Sequence, residues 1–215
     1  PAMDVALHTV PGGPAVEVVD GPLRVRKRSV SDMDNNVILL ACTRTGTALL
    51  VDAADDAPAI RALAASTSPL AVVQTHGHWD HVRAWEALAE DPGLEVWGHE
   101  GDLERYPHPP DRLLVDGQHL AVGDLDIEVV HLPGHTEGSL LLLVAGAAQP
   151  WLITGDSLFP GGPGATFGDG DAHRRLIDGL EHRVFDRLPD ATRVLPGHGD
   201  ATLVLVTAAI GVASV

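Results

Sequence analysis

Cysteine is nearly absent from this chain of 215 residues, which holds only Cys42. No disulfide can therefore form within the chain, and nothing in the composition requires an oxidising compartment. Cys42 ends an apolar run that begins at Val37, so we expect it to be a small buried side chain. The first residues show no secretory signal, and we interpret residues 1–3 as a remnant around a natural start at Met3. These observations predict a cytoplasmic protein.

Positive charge is also scarce. The chain has 14 lysine and arginine residues against 30 aspartate and glutamate residues, which gives a formal net charge of −16. Because nucleic-acid binding requires a basic face, this balance argues against a nucleic-acid partner. The clear basic cluster at residues 24–28 is interpreted as a solvated strand face, with an anion site as the less favoured alternative.

The chain also lacks long apolar segments and has few aromatic residues. The uncharged stretch 201–215 is shorter than the roughly 20 residues of a membrane-spanning helix, so we expect no membrane association and interpret it as a last strand or helix packed on the core. Aromatic residues make up only 4% of a chain that is 45% hydrophobic, which is typical of aliphatic layers of strands and helices. We expect one domain over residues 1–215.

Short β-rich segments alternate with helical patterns along the chain. Helices are predicted over Asp56–Ala65, His81–Glu90 and Asp171–Arg187, the first with an aspartate cap and a proline in its first turn. Apolar runs of strand length come before, between and after these helices. The pattern predicts a mixed α and β fold, but it does not predict the order in which layers of helices and sheets pack.

What the chain does contain is a concentration of metal-ligating side chains. The stretch 76–81 reads HGHWDH, which is expected by chance only about 0.004 times in a chain of this length and composition. Imidazole and carboxylate are the ligands that suit zinc and iron, and manganese when carboxylates join in. A short loop can direct His76 and His78 at one metal, and Asp80 and His81 at a neighbouring one.

Further candidate ligands follow three later β-rich segments. His135 lies in PGHT at 133–136, Asp156 in TGDS at 154–157, and His198 in PGHG at 196–199. Each time, glycine allows a sharp bend where a strand ends, and a histidine or aspartate stands at the bend. Side chains held at strand ends suit a preorganised metal site, and three such motifs argue against a loose histidine-rich surface tract.

These motifs resemble the metallo-β-lactamase superfamily. The resemblance rests on residues 75–81, 133–136, 155–159 and 196–199, and on 34–39, which looks like the first core strand of the family. It implies an α/β four-layer αβ/βα sandwich with the site at the edge between two sheets. It also implies two divalent metal ions, with zinc favoured and iron or manganese as alternatives. The implied ligands are His76, His78 and His135 for the first metal, Asp80, His81 and His198 for the second, and Asp156 as the bridge.

The implied chemistry is hydrolysis by a metal-bridging hydroxide, with Asp80 as the catalytic residue that orients it. The stretch 155–162, GDSLFPGG, looks most like glyoxalase II-type thioester hydrolases. We expect no helical C-terminal domain of the kind that helps those enzymes bind glutathione, and Lys27 and Tyr106 are the chain's only lysine and tyrosine. We therefore predict cleavage of a thioester or related ester. The partner is a small-molecule substrate, and a homodimer is left open.

Three alternatives stay open. Lactonases of the superfamily usually carry a tyrosine where this chain has Phe159. Persulfide dioxygenases hold one iron through two histidines and an aspartate, here His76, His135 and Asp156. The third alternative is not an enzyme but a metal-stabilised binding module. Structural zinc sites, however, are usually closed and often contain cysteine.

Four other positions receive weaker interpretations. His131 either supports a ligand from behind or is a plain strand histidine. His99 is expected to cap a following helix. Gly161–Gly164 forms either a wall over the site or a tight turn, and Arg174 or Arg175 either meets an anionic substrate or is simply exposed.

Overall fold

Two sheets form the centre of the molecule. The structure is a computed structural model that describes the backbone of residues 6–211 and the side chains of residues 6–207. The first sheet has seven strands in the order β1-β2-β3-β4-β5-β6-β7, and the second has six in the order β15-β14-β11-β10-β9-β8. The strands of the first sheet are β1 Val16–Asp20, β2 Leu23–Ser29, β3 Asn36–Cys42, β4 Thr47–Val51, β5 Ser68–Val73, β6 Glu95–Gly98 and β7 Arg112–Leu113. Those of the second are β8 His119–Val122, β9 Leu125–His131, β10 Leu140–Ala145, β11 Trp151–Gly155, β14 Arg193–Pro196 and β15 Thr202–Leu203.

The burial of strand β3 shows that the first sheet is covered on both faces. All seven of its residues are buried, as expected for a central strand packed on two sides. Val37 and Leu39 contact the layer of helices α1 (Ala57–Leu63) and α2 (Trp85–Ala89), whereas Ile38 and Leu40 face the second sheet. Cys42 also faces the second sheet and is 1% exposed, so its predicted burial is confirmed.

The second sheet is also covered on both faces, with its helices on the side away from the first sheet. Its inner face, including Leu142 and Ile153, joins the core between the sheets. Its outer face, including Leu141 and Leu143, packs on helices α3 (Gly170–Leu180) and α4 (Val204–Gly211). The layers are therefore helix, sheet, sheet and helix, and the predicted αβ/βα sandwich is confirmed. A short hairpin of β12 Leu158–Phe159 and β13 Gly162–Pro163 lies apart from both sheets.

One predicted helix was wrong. In place of a continuous helix over 81–90, a 3₁₀ turn covers Trp79–His81 and α2 begins only at Trp85. The amide of Ala84 donates to the carbonyl of Ala53 at 2.9 Å, so a tertiary hydrogen bond replaces the helical one. Val82, Trp85 and Leu88 in this segment are buried, whereas Ala89 is exposed.

The two other predicted helices form with altered ends. The Asp56 carboxylate accepts from the amide of Ala59 at 3.1 Å and so caps α1 as expected. The late helix is α-helical over Gly170–Leu180 and continues as a π-helical segment over Glu181–Phe185. The uncharged C-terminal stretch forms β15 and α4, and its residues 212–215 lie outside the described residues. Within the part of the chain described, no helix has the length and apolarity to cross a bilayer.

The basic cluster on β2 is only partly a solvated face. Arg26 is half-buried and donates to the carbonyls of Leu63 and Ala65 at 2.9 and 2.8 Å. Lys27 points to the opposite side, is fully buried, and donates to the carbonyl of Leu7 at 3.0 Å. These side chains therefore attach neighbouring segments to the first sheet, because strand alternation separates Lys27 from the arginines.

Strand direction brings the candidate site residues to one edge. Strands β11 and β14 are parallel, so the residues that follow them, Asp156 and His198, emerge at the same end of the second sheet. Strands β4 and β5 are parallel in the first sheet, and β5 leads into the 76–81 loop. Gly197 is required here because a Cβ at that position would overlap Oδ1 of Asp156.

Candidate metal centre

All seven predicted ligands lie together at this edge. They form three overlapping groups, in each of which the potential ligand atoms lie within 4.8 Å of one another. The groups are His76 with His78 and His135, His76 with His81 and Asp156, and Asp80 with His81 and His198. Residues separated by more than 100 positions in the sequence therefore share one cluster.

Asp156 lies between the two outer groups. Its Oδ2 is 3.6 Å from Nε2 of His135 and 3.4 Å from Nε2 of His198. Its Oδ1 is 3.5 Å from Nε2 of His81. One carboxylate thus reaches imidazoles of both groups, which is the position that a bridging ligand needs.

Four of the five imidazoles are held from outside through Nδ1. The partners are Oγ1 of Thr75 for His76 at 3.0 Å, Oδ2 of Asp52 for His81 at 2.9 Å, the carbonyl of Ala165 for His135 at 2.8 Å, and the carbonyl of Met33 for His198 at 2.8 Å. Metal-bound histidines are typically oriented in this way by a second hydrogen bond. The arrangement leaves Nε2 of each of these four rings directed toward the cluster.

The inward atoms satisfy a specific test for cation binding. Nε2 of His76, Nε2 of His135 and Oδ1 of Asp156 are buried and have no hydrogen-bond partner. Buried polar atoms in proteins nearly always have a partner, so three such atoms in one cluster indicate a ligand. Imidazole and carboxylate donors at this spacing fit a divalent metal ion.

The two outer groups differ in their protonation. Burial lowers the pKa of His76 and His135, and it lowers the pKa of His78 to about 4. Burial also opposes the charged form of His81, but the carboxylates of Asp52 and Asp156 outweigh it and raise its pKa to about 9.

His198 and the two aspartates complete the charged half of the cluster. Burial disfavours the imidazolium of His198, but the carboxylates of Asp156 and Asp80 raise its pKa to about 10. Burial opposes ionisation of Asp80 and Asp156, and hydrogen bonding to His198 outweighs it and holds both pKa values well below the ordinary range. The imidazoles beside Asp80 therefore favour the charged form, whereas the three-histidine group favours the neutral form.

Sequence reasoning missed Asp52, which is buried behind the cluster. Its carboxylate accepts from the amide of Thr75 at 2.7 Å, from Oγ1 of Thr75 at 2.9 Å, and pairs with Nδ1 of His81. Asp52 follows β4, the parallel neighbour of β5, and has a φ of 62°. An aspartate directly after a buried strand beside the metal loop was the available signal.

Asp102 was also missed, and it connects two of the ligand-bearing loops. Its Oδ2 accepts from the amide of Gly77 and from Oγ1 of Thr136, both at 2.7 Å. Its Oδ1 accepts from the amide of Gly138 at 3.1 Å. Asp102 is 1% exposed and lies far from both loops in sequence, so no local pattern identifies it.

An open cleft of about 630 Å³ leads to the cluster. Its lining beyond the candidate ligands consists of Met33, Trp79, Arg105, Phe159, Ala165 and Phe167. Arg105 is the only arginine or lysine among the described lining residues. Arg174 and Arg175 instead form ion pairs elsewhere, with Asp171 and Glu137.

The remaining weak candidates do not join the cluster. His99 and His131 stack on each other with ring centroids 3.9 Å apart, and neither belongs to a ligand group. Nδ1 of His99 accepts from the amide of Gly101 and caps a 3₁₀ turn, as predicted. Gly162 lies in the β12–β13 hairpin, which favours the tight-turn interpretation of 161–164.

An αβ/βα sandwich with a histidine and aspartate cluster at the sheet edge defines a scaffold suited to binding metal ions. The sequence profile of the metallo-beta-lactamase superfamily matches residues 31–198, and the chain belongs to that superfamily. The chain is 40% identical over 166 residues to a hydroxyacylglutathione hydrolase of Anaeromyxobacter dehalogenans (strain 2CP-C), covering 77% of this chain and 61% of that protein.

Two solved structures are also similar. TTHA1623 in a di-iron-bound form matches with a TM-score of 0.73 and 29% identity, over 85% of this chain and 96% of that one. The BLEG-1 B3 metallo-beta-lactamase matches with a TM-score of 0.74 and 26% identity, over 85% and 95%. The chain spans only 61–64% of the length of three hydroxyacylglutathione hydrolases that it matches.

Proposed function

We propose that this protein is a metal-dependent hydrolase of thioesters or related esters, similar to glyoxalase II. The observation that carries the proposal is the convergence of five imidazoles and two carboxylates in one cluster that contains buried, unpartnered donor atoms. Membership of the superfamily and 40% identity to a protein named hydroxyacylglutathione hydrolase support it. The substrate is a small molecule, and the description of residues 1–215 as one domain stays a prediction.

The three groups support a ligand assignment. His76, His78 and His135 would hold one divalent ion, Asp80, His81 and His198 the other, and Asp156 both. We favour zinc, since histidine and carboxylate ligands suit it, with iron or manganese as alternatives. The similar TTHA1623 structure is described as di-iron-bound, which supports two ions and keeps iron open.

Bound divalent cations would acidify a water molecule and polarise the substrate carbonyl. Asp80 has the catalytic role among the chain's own residues. Its Oδ2 accepts from Nδ2 of Asn35 at 2.9 Å and lies 3.4 Å from Nε2 of His198, so the carboxylate is fixed in direction. Asp80 lines the cleft, where it can orient the attacking water.

The direct test combines metal analysis with a substrate panel. Protein purified without added metal is examined for metal identity and stoichiometry, and is then assayed on thioesters, lactones, β-lactams and persulfides. Two ions per chain and chelator-sensitive thioester hydrolysis are expected. No chelator-sensitive turnover on any substrate would instead favour a metal-stabilised binding module.

Asp156→Ala is the informative variant. Because Asp156 reaches imidazoles of both groups, its removal should abolish metal binding and activity together. Retention of both metals in this variant would contradict the assignment of the bridge.

A mononuclear-iron dioxygenase is the second candidate. His76, His135 and Asp156 converge on their own, with Oδ2 of Asp156 4.0 Å from Nε2 of His76 and 3.6 Å from Nε2 of His135. Two histidines and a carboxylate are the ligands of many non-haem iron oxygenases. One iron per chain and oxygen consumption with a persulfide would favour this function over hydrolysis.

A further inference from the structure

Two exposed aromatic side chains flank the candidate metal centre. Phe167 is 76% exposed and Trp79 is 63% exposed, the highest values among the large hydrophobic residues whose side chains are described. The chain has only four tryptophans, three phenylalanines and one tyrosine, and its other tryptophans are buried. Large apolar groups left in water together at a cleft mark a binding surface, because folding normally buries them.

The backbone at Phe167 is held in a conformation that phenylalanine rarely adopts. The amide of Asp169 donates to the carbonyl of Thr166 at 2.9 Å, and the two central residues have φ of 53° at Phe167 and 85° at Gly168. Turns with positive φ at both central positions favour asparagine, aspartate and glycine. A bulky residue there is strained, and strain of this kind concentrates at functional sites.

The loop that carries Phe167 is fixed at both ends. The carbonyl of Ala165 accepts from Nδ1 of His135, and Asp169 caps α3 through the amides at its first turn. The ring of Phe167 lies 5.6 Å from that of His78 and 5.9 Å from that of His135, centroid to centroid. Its position is therefore set relative to the candidate ligands.

Trp79 supplies a second apolar surface of the same cleft. It lies in the 3₁₀ turn between the candidate ligands His78 and Asp80. The guanidinium of Arg83 lies 5.1 Å from the centre of its ring, a cation–π contact that favours one orientation of the indole. Met33, 44% exposed, extends the apolar lining.

We propose that Phe167 and Trp79 bind an apolar acyl group of the substrate beside the metal centre, so that aryl or medium-chain acyl esters and thioesters are preferred. This proposal rests on the proposed hydrolase function. A small polar acyl group would leave both rings in water, whereas a phenyl ring or alkyl chain would bury them and gain stacking or van der Waals contacts. Phe167 and Trp79 are thus specificity-determining residues.

The kinetic test varies the acyl group and keeps the leaving thiol constant. Acetyl and phenylacetyl thioesters of N-acetylcysteamine are hydrolysed by the metal-loaded full chain, and kcat and KM are measured for each. We expect kcat/KM to be about tenfold or more higher for the phenylacetyl ester, mainly through a lower KM. Equal or reversed preference in the wild-type protein would overturn the proposal.

Phe167→Asn separates the role of the ring from that of the fold. Asparagine tolerates positive φ, so this variant relieves backbone strain, and its melting temperature should be unchanged or higher. The preference for the phenylacetyl ester should fall several-fold, as it should in Trp79→Ala. Loss of activity on both esters to the same extent would contradict a specificity role.

Leu70→Ala is the matched control. Leu70 is an exposed apolar residue, 40% exposed, and lies on β5 six residues before His76, roughly 15–20 Å from the metal loop along the strand. Its substitution removes similar apolar surface at the opposite end of the sheet. Both kcat/KM values should match those of the wild-type protein.

A binding measurement distinguishes failure of this proposal from failure of the hydrolase proposal. Phenylacetate and acetate are titrated into the metal-loaded chain, with heat and tryptophan fluorescence as readouts. Phenylacetate should bind at least tenfold more tightly, and Phe167→Asn should lose most of that difference, whether or not any thioester is hydrolysed. Equal affinities for the two acids would refute the aromatic binding surface even if the protein proves to be a thioesterase.

Discussion

The three-histidine group and the group of Asp80, His81 and His198 use overlapping residue types but differ in charge. The imidazoles of the first group are buried among one another, which lowers their pKa values. Those of the second group lie beside Asp52, Asp80 and Asp156, which raise their pKa values to about 9 and 10. A neutral imidazole offers its lone pair directly, whereas a protonated one must first release a proton. The carboxylates beside the imidazoles, more than the imidazoles themselves, therefore distinguish the two halves.

The largest expected effect comes from removing a ligand from one or both halves. His76 belongs to two of the ligand groups, and His198 to only one. Each is nevertheless the assigned ligand of a single ion, so we expect both His76→Ala and His198→Ala to keep about one ion per chain, with activity reduced on the order of 10³-fold. Elemental analysis of dialysed protein measures the metals. Loss of both ions from either variant would show that the two halves do not bind their ions separately.

Asp52→Asn should weaken the second half selectively. Asparagine keeps the shape but loses the negative charge that Nδ1 of His81 faces at 2.9 Å. Loss of such a partner typically lowers metal affinity about 10–100-fold, and we expect that loss for one ion only. Competition with a chromogenic chelator measures each affinity. A matching loss for both ions would show that Asp52 supports the whole cluster.

The pH dependence of metal binding should also differ between the halves. The pKa values of His81 and His198 are raised in the metal-free protein, and their Nε2 atoms are 3.1 Å apart, so a metal must displace at least one proton from this pair and its affinity falls as pH falls. We expect a loss of about tenfold or more per pH unit for one ion between pH 8 and 6. The other ion should be nearly insensitive there, since the pKa of His78 is about 4. Calorimetry in buffers of different ionisation enthalpy counts the protons released.

The smallest expected effect is on stability and concerns Asp102. Asp102→Asn replaces a buried carboxylate that accepts three hydrogen bonds from the loops of Gly77 and Thr136. We expect a loss of about 2 kcal/mol in the free energy of unfolding, because one amide group would then face donors. Asp124→Asn, in an exposed pair with Arg44, is the control and should leave the melting temperature unchanged. Thermal unfolding of the metal-free chain measures both.

Much of the candidate site was predictable because its residues carry local signals. His76 to His81 lie within six residues, and His135, Asp156 and His198 each follow a β-rich segment and a glycine. Asp52 and Asp102 carry weaker signals because an isolated aspartate in a loop is common. Their roles depend on which loops lie beside them, and that is set by strand order. The helix predicted over 81–90 failed for the same reason, since a hydrogen bond from Ala84 to Ala53 overrides local propensity.

The amino-acid sequence by itself determined the alternation of strands and helices, the chemical identity of the seven candidate ligands and the scarcity of aromatic residues. Periodicity and composition are properties of the sequence, so they can be read without knowing the fold. Only the tertiary structure decided that burial among imidazoles lowers some histidine pKa values while buried carboxylates raise others, and that two rare aromatic side chains stand exposed beside the cluster. Burial and electrostatic neighbours depend on which segments pack together, and the parallel pairing of β4 with β5 and of β11 with β14 brings those segments to one edge.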